Sequence, residues 1–320
     1  MSKVAIIGSG SWGTALALSL ARRGDHTLAL WSHSAPVGTY LPDFPIPPQI
    51  TPVSDMASAM RGAAIVISAV PSQHVRATYE SMAPFLKPAQ IIVSATKGIE
   101  DQSFLRMTQV IEQVCGGRAA ALSGPSFAQE VATGTPTAIT VAFQENEIAN
   151  RLQDELSAPG LRIYTNDDVI GVELGGALKN VIAIAAGIAA GLGLGHNSVA
   201  AIITRGVAEI TRLAVACGGR PHTLAGLSGL GDLVLTCTGP LSRNRSVGIE
   251  LGRGHKLPAI LAQLHGKVAE GVRTTSAALG LARAHSVEMP ITEQMAAILE
   301  HGKSPQDAIR ELMARPGREE

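Results

Sequence analysis

The run Gly8-Ser9-Gly10-Ser11-Trp12-Gly13 leaves little choice of fold for the first part of this chain. It follows the short apolar segment Val4–Ile7 and precedes a helical pattern over Thr14–Arg23, with Gly24 placed to end that helix. In this setting the first glycine permits a tight turn and the second lets backbone approach a pyrophosphate. The third lets the helix pack close to the strand. The helix start then offers unpaired N–H groups to phosphate oxygens. Gly8, Gly10 and Gly13 are therefore candidate dinucleotide-binding positions.

The end of the second expected strand, Trp31-Ser32-His33, bears on which dinucleotide fits. An NAD-selective site usually carries Asp or Glu there to bond the ribose 2′-hydroxyl. Here no acid stands to repel a 2′-phosphate, and His33 can donate to one. NADPH is expected to be accepted, alongside NADH. A solvated loop histidine is the alternative for His33.

Further strands are expected at Thr27–Trp31, Ala63–Val70, Gln90–Ser94, Ala119–Leu122, Thr137–Ala142 and Leu161–Tyr164. They read as nearly continuous apolar runs, which means both sheet faces are covered and the sheet is mostly parallel. Pro42, Pro45, Pro47 and Pro48 exclude a helix after the second strand and predict an extended surface loop. Beyond about Asn166 apolar positions recur at three and four, as over Arg205–Ala216, and Ser304-Pro305 starts a capped helix. The expected architecture is α/β: a Rossmann-like, mostly parallel sheet domain over 1–166, followed by an all-α domain over 167–320.

Composition narrows the functional classes. The 320 residues carry 26 Lys plus Arg and 26 Asp plus Glu, so no basic surplus suggests a nucleic-acid partner. Cys115, Cys217 and Cys237 lie too far apart for a metal or redox pair, read best as buried small hydrophobes, and fit a reducing compartment. No signal peptide is expected, and the longest uncharged apolar run, Val181–Leu194, falls short of a bilayer span. These features predict a cytoplasmic protein without a membrane partner. The 34 glycines against only 3% aromatic residues predict close backbone approaches in an aliphatic core.

Several polar residues stand where chemistry is possible. Lys97 follows the strand ending at Ser94, at the edge where open α/β sheets bind ligands. It is either a site residue or a solvated turn lysine. Ser123-Gly124-Pro125-Ser126 ends the next strand in the same way. Lys179 sits in Gly175-Gly176-Ala177-Leu178-Lys179-Asn180, inside a long apolar helical stretch. It must snorkel outward, be paired, or line a polar cavity beside a substrate carbonyl. Asp232 could compensate such a lysine, and Arg243 offers a planar fork for a phosphate with Ser242 and Asn244 as neutral donors. A helix cap and a surface patch are the plainer readings of these residues.

Together, Ile7–Gly13, Ala95–Gly98, Ser123–Ala128, Gly171–Ile184, Leu227–Thr238, Ser242–Arg245 and Glu270–Gly271 resemble the bacterial NAD(P)-dependent glycerol-3-phosphate dehydrogenases over essentially the whole length. The resemblance implies interconversion of dihydroxyacetone phosphate and sn-glycerol 3-phosphate for glycerophospholipid synthesis. It implies Lys179 as proton donor and acceptor, and substrate contacts at Lys97, Gly124, Ser126, Asp232, Ser242, Arg243 and Asn244. It implies cofactor contacts at Ser11, Trp12, His33, Lys97, Ala128, Arg243, Val268 and Glu270. One stretch departs from the family pattern: the segment from Ser32 to Pro42 is shorter than the usual connection, which carries a helix. The second domain also has apolar surface enough for a homodimer, and burial in its own core is the equal alternative. A hydroxy-acid dehydrogenase and a non-catalytic cofactor sensor are the rival readings.

Overall fold

The computed structural model describes residues 2–33, 35–264 and 268–317. The chain forms two units, one of residues 1–100 with 105–173 and one of residues 101–104 with 174–320.

The first unit is built on one eight-stranded sheet. Its strands are β1 (Ser2–Ile7), β2 (His26–Trp31), β3 (Ile50–Val53), β4 (Ile65–Ser68), β5 (Ile91–Ser94), β6 (Ala119–Ser123), β7 (Thr137–Ala142) and β8 (Leu161–Asn166). They run in the order β3-β2-β1-β4-β5-β6-β7-β8, and every neighbouring pair is parallel except β6–β7. Alternation of side chains splits the core between the two faces. Val4, Ile6, Leu28 and Leu30 join one buried cluster, while Ala5, Ile7 and Val66 join another. Strand order reverses between β1 and β4, so the loops after these two strands diverge at the carboxyl edge and leave a crevice.

β3 was not among the expected strands. It carries Pro52, and proline is tolerated because β3 pairs on one side only, at the sheet edge. The strand expected over 63–70 is confined to Ile65–Ser68. Among the described residues between β2 and β3 there are only turns and bends, and Ser34 lies outside the described residues. α1 (Ser11–Ala21) follows β1, and Gly24 just beyond it has φ +80. α2 (Ala128–Thr133) follows β6.

The second unit is helical. Its central element is α3 (Val169–Gly191), whose first turn belongs to the first unit. Asp168 caps it by accepting from Gly171 N at 2.8 Å, and Glu173 accepts from Thr108 N at 2.8 Å and Thr108 Oγ1 at 2.7 Å. The unit also holds α4 (Gly195–Ala216), a π-helical turn at Leu227–Gly231, α5 (Asp232–Thr238), α6 (Arg243–Gly252), α7 (Glu270–Ala284), α8 (Pro290–His301) and α9 (Pro305–Met313). α9 starts as expected, with Ser304 Oγ accepting from Asp307 N at 3.1 Å.

The helix around Lys179 is longer than the uncharged run from Val181 suggests. With the charged residues Glu173 and Lys179 included, the helix has 23 residues and a window of mean hydropathy 1.6, long and apolar enough by length and composition to cross a membrane. Yet 89% of its most apolar window is buried inside the protein, so its apolarity is that of a core helix.

Candidate active site

The three motif glycines do three different jobs. Gly8 has φ +111, a conformation that favours glycine, and turns the chain out of β1. A Cβ on Gly13 would lie 1.8 Å from Gly8 O, so α1 packs onto the turn with no room for a side chain. A Cβ on Gly10 would meet nothing within 4 Å. The protein's own packing does not require glycine there, which fits a position kept bare for an approaching ligand. Gly10 is also the N-cap of α1 and provides no side-chain cap, leaving the amides at Ser11, Trp12 and Gly13 facing the crevice end of the helix. Trp12 Nε1 is buried without a hydrogen-bond partner among the described residues. An open cradle and an orphaned buried donor fit a dinucleotide.

Around that turn, Ser9 Oγ donates to Ser32 Oγ at 2.7 Å, and Ser11 Oγ donates to Tyr40 O at 3.3 Å. The segment after β2 is thereby tied to the glycine turn. His33 is exposed, with its ring edge-on to Trp31 at 5.9 Å.

Lys97, Gly124 and Ser126 come together at the carboxyl ends of β5 and β6. Lys97 Nζ donates to Gly124 O at 3.0 Å, and Ser126 Oγ donates to the same oxygen at 2.9 Å. Gly124 has φ +146, and a Cβ there would lie 2.9 Å from Ile139 Cα on β7. The carbonyl that organises the group is therefore fixed by the sheet. Ala128 opens α2 and packs against the sheet core.

In the second unit Lys179 does not snorkel. It is only 6% exposed, and Asp232 is fully buried. Lys179 Nζ donates to Asp232 Oδ1 and, at 2.8 Å, to Thr236 Oγ1. Thr236 in turn donates to Asp232 O at 2.7 Å. A buried ammonium is tolerable only when paired and hydrogen-bonded, and here a carboxylate and a hydroxyl meet that need. Asp232 and Thr236 lie four residues apart on α5 and so share one face. Burial pushes the neighbouring Cys237 thiol up to about 12, so it stays protonated and apolar in behaviour.

Ser242, Arg243 and Asn244 begin α6, each with a different local task. Ser242 is the N-cap, its Oγ accepting from Arg245 N at 3.2 Å. Asn244 is buried; its Nδ2 donates to Asn180 Oδ1 at 3.0 Å and its Oδ1 accepts from Gly271 N at 3.0 Å. It thereby joins α3, next to Lys179, to the start of α7, where Glu270 sits. Arg243 is exposed, and its side chain makes no hydrogen bond or ion pair among the described residues. Its guanidinium is available to an outside anion. Val268 is half-buried just before α7.

Sequence reasoning passed over Thr236 and Asn180. Thr236 gives no signal in a run such as Leu233-Val234-Leu235-Thr236-Cys237, because its partner is 57 positions away. Asn180 stood beside the lysine without a distinct role until Asn244 proved to be its partner. Among the described residues no group of His, Cys, Asp and Glu could hold a metal ion.

Comparison with known proteins agrees with this chemistry. Residues 3–149 match the family described as NAD-dependent glycerol-3-phosphate dehydrogenase N-terminus, and residues 168–310 match its C-terminus. A glycerol-3-phosphate dehydrogenase [NAD(P)+] of Acidobacterium capsulatum is 59% identical, with both chains fully covered. One of Koribacter versatilis is 58% identical over 99% of this chain and 98% of that protein. The crystal structure of glycerol-3-phosphate dehydrogenase from Coxiella burnetii superposes with a TM-score of 0.93 at 40% identity, covering 98% of this chain and 99% of that one. A dinucleotide cradle, a buried lysine–aspartate pair and two family matches spanning nearly the whole length place this chain in the NAD-dependent glycerol-3-phosphate dehydrogenase family.

Proposed function

We propose that this protein reversibly reduces dihydroxyacetone phosphate to sn-glycerol 3-phosphate with NADPH or NADH, feeding glycerophospholipid synthesis. The observation that carries the reading is the buried Lys179 ammonium held by Asp232 and Thr236, a proton source kept out of water. Gly8, Gly10, Ser11, Trp12 and Gly13 would hold the dinucleotide, with His33, Ala128, Val268 and Glu270 as further contacts. When bound, the nicotinamide supplies the hydride that adds to the ketone carbon.

The chain's own residues do the rest. Lys179 hydrogen-bonds the ketone oxygen and gives it a proton as charge develops, which is general-acid catalysis. In the reverse direction the neutral amine takes the alcohol proton. Arg243, with Ser242 and Asn244, anchors the phosphate, and Lys97 with Gly124 and Ser126 holds the polar groups of the substrate. Binding at the phosphate, remote from the reacting carbon, lowers the barrier by fixing orientation.

The same reading takes the protein to be soluble and cytoplasmic, with no nucleic-acid or membrane partner. It takes the assembly to be a homodimer, supported by exposed Leu230, Val234 and Leu241 on the second unit. The test is an NADPH-oxidation assay with and without dihydroxyacetone phosphate, repeated with NADH and with short keto acids. Oxidation dependent on the phosphorylated ketone, with either cofactor, is expected. Preference for a keto acid would instead favour a hydroxy-acid dehydrogenase, and tight NADPH binding without oxidation a sensor.

A further inference from the structure

Lys179 and Asp232 meet where their two elements touch one turn earlier. Gly175 lies four residues before Lys179 on α3, and Ser228 lies four residues before Asp232. A Cβ on Gly175 would stand 2.6 Å from Ser228 O and 3.2 Å from Ser228 C. The obstacle is backbone, so no rotamer relieves it. The facing segment is the π-helical turn Leu227–Gly231, closed by Gly231 N donating to Gly226 O at 3.1 Å, and it runs straight into α5. The turn is itself tightly wound, since a Cβ on Gly229 would lie 2.1 Å from Leu224 O, and Leu224 Cδ1 also faces Gly175, 3.2 Å from the position its Cβ would take. Single π-helical turns recur at functional sites.

We propose that Gly175 is a positioning residue for proton transfer, its missing side chain setting the separation at which the Lys179 ammonium meets the Asp232 carboxylate. The inference rests on the reading of Lys179 as the proton donor and acceptor. Ordinary contact begins at 3.4 Å, so a methyl group at Gly175 parts the backbones by about 0.8 Å. That displacement lies one turn from the ion pair. Misplacement on the order of 1 Å costs up to ~100-fold in rate.

The test compares Gly175→Ala with Gly191→Ala. Gly191 is on the same helix and a Cβ there would also strike backbone, 2.3 Å from Ile249 O, but it lies three turns beyond Lys179. Both variants are expected to lose thermal stability. Only Gly175→Ala should lose kcat for dihydroxyacetone phosphate, by roughly 10- to 100-fold with KM for NADPH within about twofold. Asp232→Glu, one methylene longer, should restore part of kcat in the Gly175→Ala background and lower it in the native one. Equal kcat losses in the two glycine variants, or no rescue by Asp232→Glu, would overturn the proposal. If Gly175→Ala yields no folded protein, Asp232→Glu alone decides. A kcat lowered about tenfold or more supports a fixed gap, and one within about twofold of native overturns it. Lys179→Ala separates the two claims. Retained turnover there rejects the proton-transfer reading itself, whereas an inactive Lys179→Ala beside an unaffected Gly175→Ala rejects only the positioning role.

Discussion

Lys179 and Asp232, 53 positions apart in the chain, form an ion pair that solvent scarcely reaches. Such a pair contributes little net stability, because the desolvation of both charges offsets their attraction, yet breaking it strands a buried charge.

That asymmetry gives a stability prediction. Lys179→Met and Asp232→Leu made singly should each destabilise the protein by about 3–5 kcal/mol. The double variant should recover most of that loss and still be inactive. Denaturant melts of the four proteins read the coupling, and additive losses would contradict a direct pair.

Arg243 is the opposite case, exposed and without an internal partner among the described residues. Arg243→Ala should leave the melting temperature within a degree or two of native while raising KM for dihydroxyacetone phosphate by roughly 10- to 100-fold, the loss of a charge-assisted fork. An unchanged KM removes its anchoring role.

Gly10 and Gly13 should separate binding from folding. Gly10→Ala has open space for its methyl group, so the protein should fold normally and bind NADPH at least about tenfold more weakly. Gly13→Ala would drive a methyl group into Gly8 O and should lower the melting temperature itself. Calorimetric titration of NADPH beside thermal melts distinguishes them. Equal affinity in Gly10→Ala and native protein would show that the bare position does not face the dinucleotide.

Much of this arrangement was legible because its signals are local. The glycine spacing after an apolar strand announces the cradle, and a lysine amid Ala, Leu, Val and Ile announces a charge that must be accounted for. Asp232 was readable as the residue that could compensate Lys179, and the two do pair, but Thr236 as the second partner was not, since spacing says nothing about residues brought together by packing. β3 was hidden by Pro52, which argues against a strand unless the strand is known to lie at the edge. Glu209 was hidden differently. On α4 it stands between Ala208 and Ile210 in an amphipathic run, with nothing local to mark it, yet it is 2% exposed and accepts from Ile291 N at 2.6 Å and Thr292 Oγ1 at 3.2 Å at the start of α8.

Burial raises the Glu209 carboxyl from 4.5 to about 7, against the opposing pull of the Ile291 and Thr292 donors and of Arg212. Between those two values the folded protein holds a proton that the unfolded chain has lost, so stability falls as pH rises through the window and levels off above about 7. The decline amounts to up to about 3 kcal/mol. Glu209→Gln should flatten it. Denaturant midpoints at several pH values check this, and parallel pH profiles for the variant and the native protein would count against it.

The most direct measurement is single-turnover NADPH oxidation by native protein and by Lys179→Ala, each saturated with dihydroxyacetone phosphate, with NADPH affinity measured on the same samples. If Lys179 handles the proton, the variant binds NADPH as the native protein does and its oxidation rate falls at least about a hundredfold. A rate within a few fold of native, at equal cofactor affinity, contradicts the account.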